Sequence, residues 1–324
     1  MTAKNYPVFP IATEKTVAPP SRLDAWLSAL RLRTLPLSIA GVGLGNILAW
    51  QYGVFSATLA IWGVLTALLL QTLANLANDY GDAAHHADGA MRQGPLRMSA
   101  NGIITPQQMR RAIALNIALC IISGLVLLFI ALPSHAAAPS WLAWLSMGAL
   151  CIVAALAYTI GKKPYGYVGL GDLAVLIFFG VVAVGGMFLL QTGSLPLIII
   201  LPALSIGLWC AAVLNINNIR DVAGDALCGK ITLAVRLGVY KARYYHLALL
   251  ALALFCHVLF VWQRYTFAAA VLLTLFAAWF TFSHYSRMNH YYDAAFLNHE
   301  LKSFSGGILF QAALIGIVPW FLGG

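Results

Sequence analysis

"IWGVLTALLLQTLANLANDYGDAAHHAD" occupies residues 61–88 and changes character halfway along. Its first half continues a nearly pure hydrocarbon run that begins near Phe55; from Asn75 to Asp88 it carries two asparagines and three aspartates. A run of this length suits the ~30 Å of a bilayer's hydrocarbon, which takes around 20 residues. The whole chain follows suit. Of 324 residues 61% are hydrophobic and 9% charged, and the mean hydropathy is +0.84, against about 25% charged in soluble proteins. A core hiding this much apolar surface from water would leave almost nothing polar for the outside, so the solvent is lipid.

Apolar runs of spanning length occur nine times, near 32–50, 55–77, 110–132, 141–160, 170–190, 195–216, 245–263, 266–284 and 303–322. The expected fold is therefore all-α: a polytopic membrane protein, a bundle of nine transmembrane helices. Residues 1–22 are polar and Pro-rich, without the apolar segment of a signal peptide. They read as a poorly ordered cytoplasmic arm ahead of a single domain spanning 23–324. Five scattered cysteines lack ligand spacing and read as small apolar residues.

The basic residues give the orientation. Eighteen of the 19 fall on one side of this map: the N-terminal arm and the connections after the second, fourth, sixth and eighth spans. Only Arg264 lies on the other. The N-terminus is thus expected in the cytoplasm and the C-terminus outside, in the cytoplasmic (inner) membrane. Spread over five segments, these charges form no single patch for nucleic acid, and nothing calls for an obligatory protein partner. All ten acidic residues also fall on the cytoplasmic side, which the rule does not require.

Half of those acids lie in two stretches. The second, "NINNIRDVAGD" (215–225), closes the sixth span as the first closes the second. Residues at i, i+3, i+4 and i+7 share a helical face, so Asn75, Asn78, Asp79 and Asp82 form one oxygen-rich column. Asn218, Asp221 and Asp225 form another, with Asn217 four before Asp221. Aligned carboxylates near hydrocarbon repel and resist desolvation, and a cation relieves both costs. Oxygen ligands without Cys or a matched His pair suit Mg²⁺, which binds through one or two carboxylates and shares the rest with substrate phosphates. Arg92, Arg97, Lys162, Lys163, Arg220 and Lys230 could take the remaining anionic oxygens, although such residues at helix ends also serve as topology signals. The run "AGVGLGN" (40–46) suits close helix packing.

On these residues the sequence resembles the UbiA-type superfamily of intramembrane aromatic prenyltransferases. Its first motif, Asn-Asp-x-x-Asp-x-x-x-Asp, reads Asn78-Asp79-Tyr80-Gly81-Asp82 here, with the last aspartate delayed to Asp88. Its second, Asp-x-x-x-Asp, matches Asp221 and Asp225. Four blocks (31–46, 75–97, 158–175 and 217–238) and the delayed aspartate are most similar to the branch acting on 1,4-dihydroxy-2-naphthoate. The resemblance implies nine helices with the active site at the cytoplasmic side. It implies transfer of a polyprenyl chain from polyprenyl diphosphate to the naphthoate, with loss of CO2 and diphosphate, giving demethylmenaquinol. Asn78, Asp82 and Asp88 on one side and Asn218, Asp221 and Asp225 on the other would hold Mg²⁺. Tyr158 and Lys162 match the family's Tyr-x-x-x-Lys element at the departing oxygens. Arg97, Arg220 and Lys230 are candidates for diphosphate or carboxylate, and Asp79 and Asp172 for proton acceptor. Another aromatic acceptor, such as 4-hydroxybenzoate, is the alternative within this class. A secondary transporter is the alternative outside it, although transporters keep ionisable residues near mid-membrane.

Overall fold

The structure, a computed structural model, describes residues 21–85, 102–132, 141–290 and 294–322, and these contain no strand. Backbone groups in hydrocarbon must be satisfied within their own segment, which leaves the helix as the form an apolar run of this kind takes. The helices are α1 (Arg22–Leu30), α2 (Leu35–Gln51), α3 (Ala57–Ala84), α4 (Pro106–Ala131), α5 (Trp141–Ala157) and α6 (Gly171–Thr192). They continue with α7 (Ile200–Arg220), a short α8 (Val222–Leu227), α9 (Leu233–Arg264), α10 (Phe267–His290) and α11 (Ala294–Leu322). Counting α1 and α2 together, eight segments are long and apolar enough to cross a membrane, and α5 is a shorter apolar helix of 17 residues. Each of the nine expected spans falls on one of these helices. α9 and α11 begin well before their apolar runs, because helical hydrogen bonding continues where hydrophobicity stops.

Local chemistry sets the boundaries. Ser56 caps α3 by accepting from Leu59 N, and Thr105 and Gln108 form a reciprocal capping box on α4. Gly238, at φ 75° and ψ 159°, breaks α9 near its start. The middle of α6, Leu176–Gly186, is wound as a π-helix, a form that recurs at functional sites.

Lipid tails are as apolar as leucine, so close backbone approach and interhelical hydrogen bonds hold the bundle rather than exclusion from water. The 40–46 run does this between α2 and α6. A Cβ on Gly41 would lie 2.7 Å from the Phe179 carbonyl oxygen, and one on Gly45 2.6 Å from that of Val184. Beside them Gln191 Nε2 donates to Asn46 Oδ1 at 2.9 Å, and Gln191 Oε1 accepts from Ser56 N at 2.9 Å. The largest apolar core joins α2, α6, α7, α9, α10 and α11, while a second unites α1, α3 and α4.

The two ends of the bundle differ. One gathers Gln51, Tyr265 and the stacked pair Trp50 and Trp320, whose ring centroids are 5.2 Å apart. The other gathers the ends of α3 and α7 with the α5–α6 connection. Between the α3–α4–α5 group and the α2–α6–α7 group runs a cavity of about 670 Å³. On α3 its lining reaches from Asp82 back to Gly63, roughly 28 Å at 1.5 Å per residue.

Candidate active site

The end of α3 forms the first wall. Gly81 lets α5's exit pass closely, since a Cβ there would lie 2.6 Å from the Thr159 carbonyl oxygen. Thr159 Oγ1 donates to Ala77 O at 2.9 Å and lies 3.2 Å from Asn78 Oδ1. His85 Nε2 meets Gly161 O at 3.1 Å, so His85 ties the wall down from the helix end. Thus fixed, Asn75, Asn78 and Asp82 line the cavity.

The end of α7 forms the second wall. Arg220 is 2% exposed and grips Asp221 with two bonds, Nε to Oδ1 at 3.0 Å and Nη2 to Oδ2 at 2.6 Å. Its Nη1 donates to Asn298 Oδ1 on α11 at 2.7 Å. Such fork-shaped pairing fixes a carboxylate's plane as well as its charge. Asn217, Asn218, Asp221 and Asp225 line the same cavity.

Lys230 joins the walls. Its Nζ lies 3.8 Å from Asp82 Oδ1 and 3.6 Å from Asp225 Oδ1. Carboxylates from motifs more than 140 residues apart in the sequence thus share one cation. Tyr167 donates its hydroxyl to Asp82 Oδ1 at 2.9 Å. Burial, and after it the Asp82 carboxylate, push the Tyr167 phenol well above its usual range. Tyr158 also lines the cavity.

Eight of the residues expected from the sequence therefore line one cavity: Asn78, Asp82, Tyr158, Asn218, Arg220, Asp221, Asp225 and Lys230. Asp79 and Asp172 are buried but do not line it; the Tyr245 hydroxyl donates to Asp172. Lys162 is exposed and outside the lining. Asp88 and Arg97 lie outside the described residues. Sequence reasoning missed Tyr167 and Asn298, which belong to neither motif, and treated Arg31 and Arg33 as topology signals although both line the cavity. It placed Asn217 in the column without a role, and that spacing of four before Asp221 was the available signal.

Do these residues fit a magnesium ion? The donors are carboxylates and amides, the set Mg²⁺ takes. Asn217 Oδ1 is buried at the cavity with no hydrogen-bond partner, and an ammonium already sits where the two acidic walls meet. Among the described residues no three His, Cys, Asp or Glu form a closed metal cluster. That accords with an ion completing its shell from substrate phosphates. The donor set fits.

Away from this polar end the lining is mainly hydrocarbon and aromatic, including Val42, Leu128, Trp144, Phe178, Met187 and Leu190, with Thr66 among the few polar residues. An all-helical, multi-pass membrane bundle with an oxygen- and cation-lined head and a long apolar tail pocket defines a class built for amphiphilic substrates carrying an anionic group. The known proteins this chain is similar to make the class specific. The UbiA prenyltransferase family matches residues 37–304, and the chain belongs to that family. It is 48% identical over 240 residues to the 1,4-dihydroxy-2-naphthoate octaprenyltransferase of Escherichia coli (strain K12), covering 74% of this chain and 77% of that one. To the enzyme of the same name from Haemophilus influenzae it is 43% identical, covering 77% of this chain and 83% of the other. Among solved structures, a UbiA homolog from Aeropyrum pernix K1 superposes with a TM-score of 0.63 at 17% identity, covering 94% of this chain and all of that one. One from Archaeoglobus fulgidus bound to GPP and Mg²⁺ gives 0.59 at 15% identity, covering 90% of this chain and all of the other. At such identity these two share the fold.

Proposed function

We propose that this protein transfers a polyprenyl chain from polyprenyl diphosphate to 1,4-dihydroxy-2-naphthoate, releasing diphosphate and CO2 and forming demethylmenaquinol. The observation carrying this is one cavity with both acidic motifs and Lys230 at its head and hydrocarbon along the rest. The names of the Escherichia coli and Haemophilus influenzae relatives support the acceptor, and the GPP and Mg²⁺ of the Archaeoglobus fulgidus homolog support the donor and metal.

Asn78, Asp82, Asn217, Asn218, Asp221 and Asp225 are the residues that would hold magnesium, with Asp88 completing the first motif. Bound there, the metal supplies the positive charge against which diphosphate departs. Lys230, held between Asp82 and Asp225, is aimed to donate to an oxygen of the leaving group. Arg220 fixes Asp221, and the exposed Lys162 acts at the rim; Arg97 is a further candidate, from the sequence, for diphosphate or carboxylate. The apolar lining holds the isoprenoid tail and keeps water from the allylic cation that forms when the C–O bond breaks.

The acceptor's ring carbon bearing the carboxylate then bonds to the allylic carbon. CO2 leaves, and the electron pair of the broken C–C bond restores the aromatic ring. For an acceptor entering as its carboxylate this step balances without a proton acceptor. Asp79 and Asp172 are therefore not needed at the reacting atoms. In the proposed orientation the head of the cavity faces the cytoplasm, with the N-terminus inside and the C-terminus outside.

Purified protein given Mg²⁺, the naphthoate and a polyprenyl diphosphate is expected to release diphosphate and CO2 in equal amounts. Turnover that persists after complete metal removal overturns the metal–diphosphate reading. Equal rates with 4-hydroxybenzoate overturn the choice of acceptor.

A further inference from the structure

We propose that Tyr167 is a positioning residue for the metal–diphosphate site, and that the turn carrying it is a strut fixing the spacing of the two acidic walls. This rests on the function proposed above. Tyr167 belongs to neither motif. It sits in a short 3₁₀ turn, Tyr165–Val168, in the α5–α6 connection. It is 7% exposed and does not line the cavity, so it acts through what it touches.

It bridges the first wall and the segment that follows the second. On the first, its hydroxyl donates to Asp82 Oδ1 at 2.9 Å, and its ring lies against His85 with centroids 5.1 Å apart. On that segment, which Lys230 N ties to Asp225 O at 2.8 Å, its carbonyl oxygen accepts from Ile231 N at 2.9 Å, and Lys230 Nζ lies 5.4 Å from its ring centroid. One residue on, Val168 O accepts from Arg236 Nη2 at 2.8 Å. The turn is itself held, with Tyr167 N donating to Pro164 O at 3.0 Å and Gly169 closing it at φ 79°.

The consequence is geometric. A carboxylate can present either oxygen along several lone-pair directions. With Oδ1 held by a phenol, the Asp82 carboxylate cannot rotate freely and keeps one orientation at the cavity. Magnesium demands near-octahedral geometry, and losing the hydrogen-bonded partner of a metal ligand costs 10–100-fold in metal affinity or activity.

The test uses the full chain in lipid nanodiscs, with Mn²⁺ as probe, inorganic diphosphate present and binding followed by electron paramagnetic resonance. Tyr167→Phe removes only the hydroxyl and is expected to weaken Mn²⁺ binding about tenfold, while kcat at saturating metal stays near that of the native protein. Tyr167→Leu also removes the ring beneath Lys230 and is expected to raise the donor KM. Arg236→Gln, changed at an exposed side chain at the far end of the strut, is expected to shift Mn²⁺ binding in the same direction by less than Tyr167→Phe does. A Tyr167→Phe isotherm superimposing on that of the native protein overturns the proposal. So does activity that falls only with the folded fraction, or an unfolded Tyr167→Phe alongside an unshifted Arg236→Gln. Native protein that fails to bind Mn²⁺ with diphosphate overturns the underlying function instead.

Discussion

Among the described residues, two of the charged clusters are built on opposite plans. At the cavity head, Asp82 and Asp225 come from two walls and meet Lys230, beside an Asp221 gripped by Arg220 and an Asn217 oxygen with no partner. On the far side, α9, α10 and α11 share a linear chain of bonds that runs from Arg287 to His246 and ends there, the buried His246 Nδ1 having no hydrogen-bond partner. Arg287 donates Nη2 to Glu300 Oε1 at 2.7 Å and Nε to Oε2 at 3.0 Å. His284 Nδ1 meets Glu300 Oε1 at 2.7 Å, and His284 Nε2 meets His246 Nε2 at 2.9 Å. The His284 ring stacks on Phe304 with centroids 3.8 Å apart, and none of these groups lines the cavity. Burial of charge alone therefore does not mark a site. Charge arranged around space does.

Substitution can break or sharpen this contrast. The largest effect is expected from Asp82→Asn or Asp221→Asn, which remove a ligand rather than its support. Turnover should fall by more than about 100-fold, beyond what loss of an outer partner costs, with insertion and helix content unchanged. Next is Lys230→Met. Losing a charge-assisted hydrogen bond of about 1.5–3 kcal/mol should raise the KM for polyprenyl diphosphate roughly 10- to 100-fold in steady-state assays.

Glu300→Ala should reverse the pattern. Glu300 is buried but the Arg287 side chain is 44% exposed. Water can therefore take over the stranded guanidinium, and the cost stays below that of a fully buried pair. The melting temperature in detergent should fall modestly, while the folded enzyme keeps its metal requirement and KM. A metal requirement that moved with Glu300 would erase the distinction between the clusters.

The sequence made one of these clusters legible and not the other. Hydropathy located every span, and spacing of three and four located the acidic columns, because both are local periodicities. Their limits are local too. At about 100° per residue, Asn75, Asn78 and Asp82 fall within about 60° of one another on α3. Asp79 lies about 40° past Asn75 on the other side, enough to turn it out of the cavity lining. Tyr167 could not be found this way, since its bond to Asp82 spans 85 positions. Nor could Asn298, 78 positions from Arg220, or the pairing of His246 with His284. These contacts exist only once the helices are packed.

The cavity's reach along α3 has a consequence for traffic. For the proposed reaction its head opens where water-soluble diphosphate can disperse, while its tail stays within the hydrocarbon. The protein then works as a phase-transfer catalyst. The polar leaving group partitions into one medium and the quinol precursor is delivered already dissolved in the other, with no separate carrier required to move a product that water would not hold.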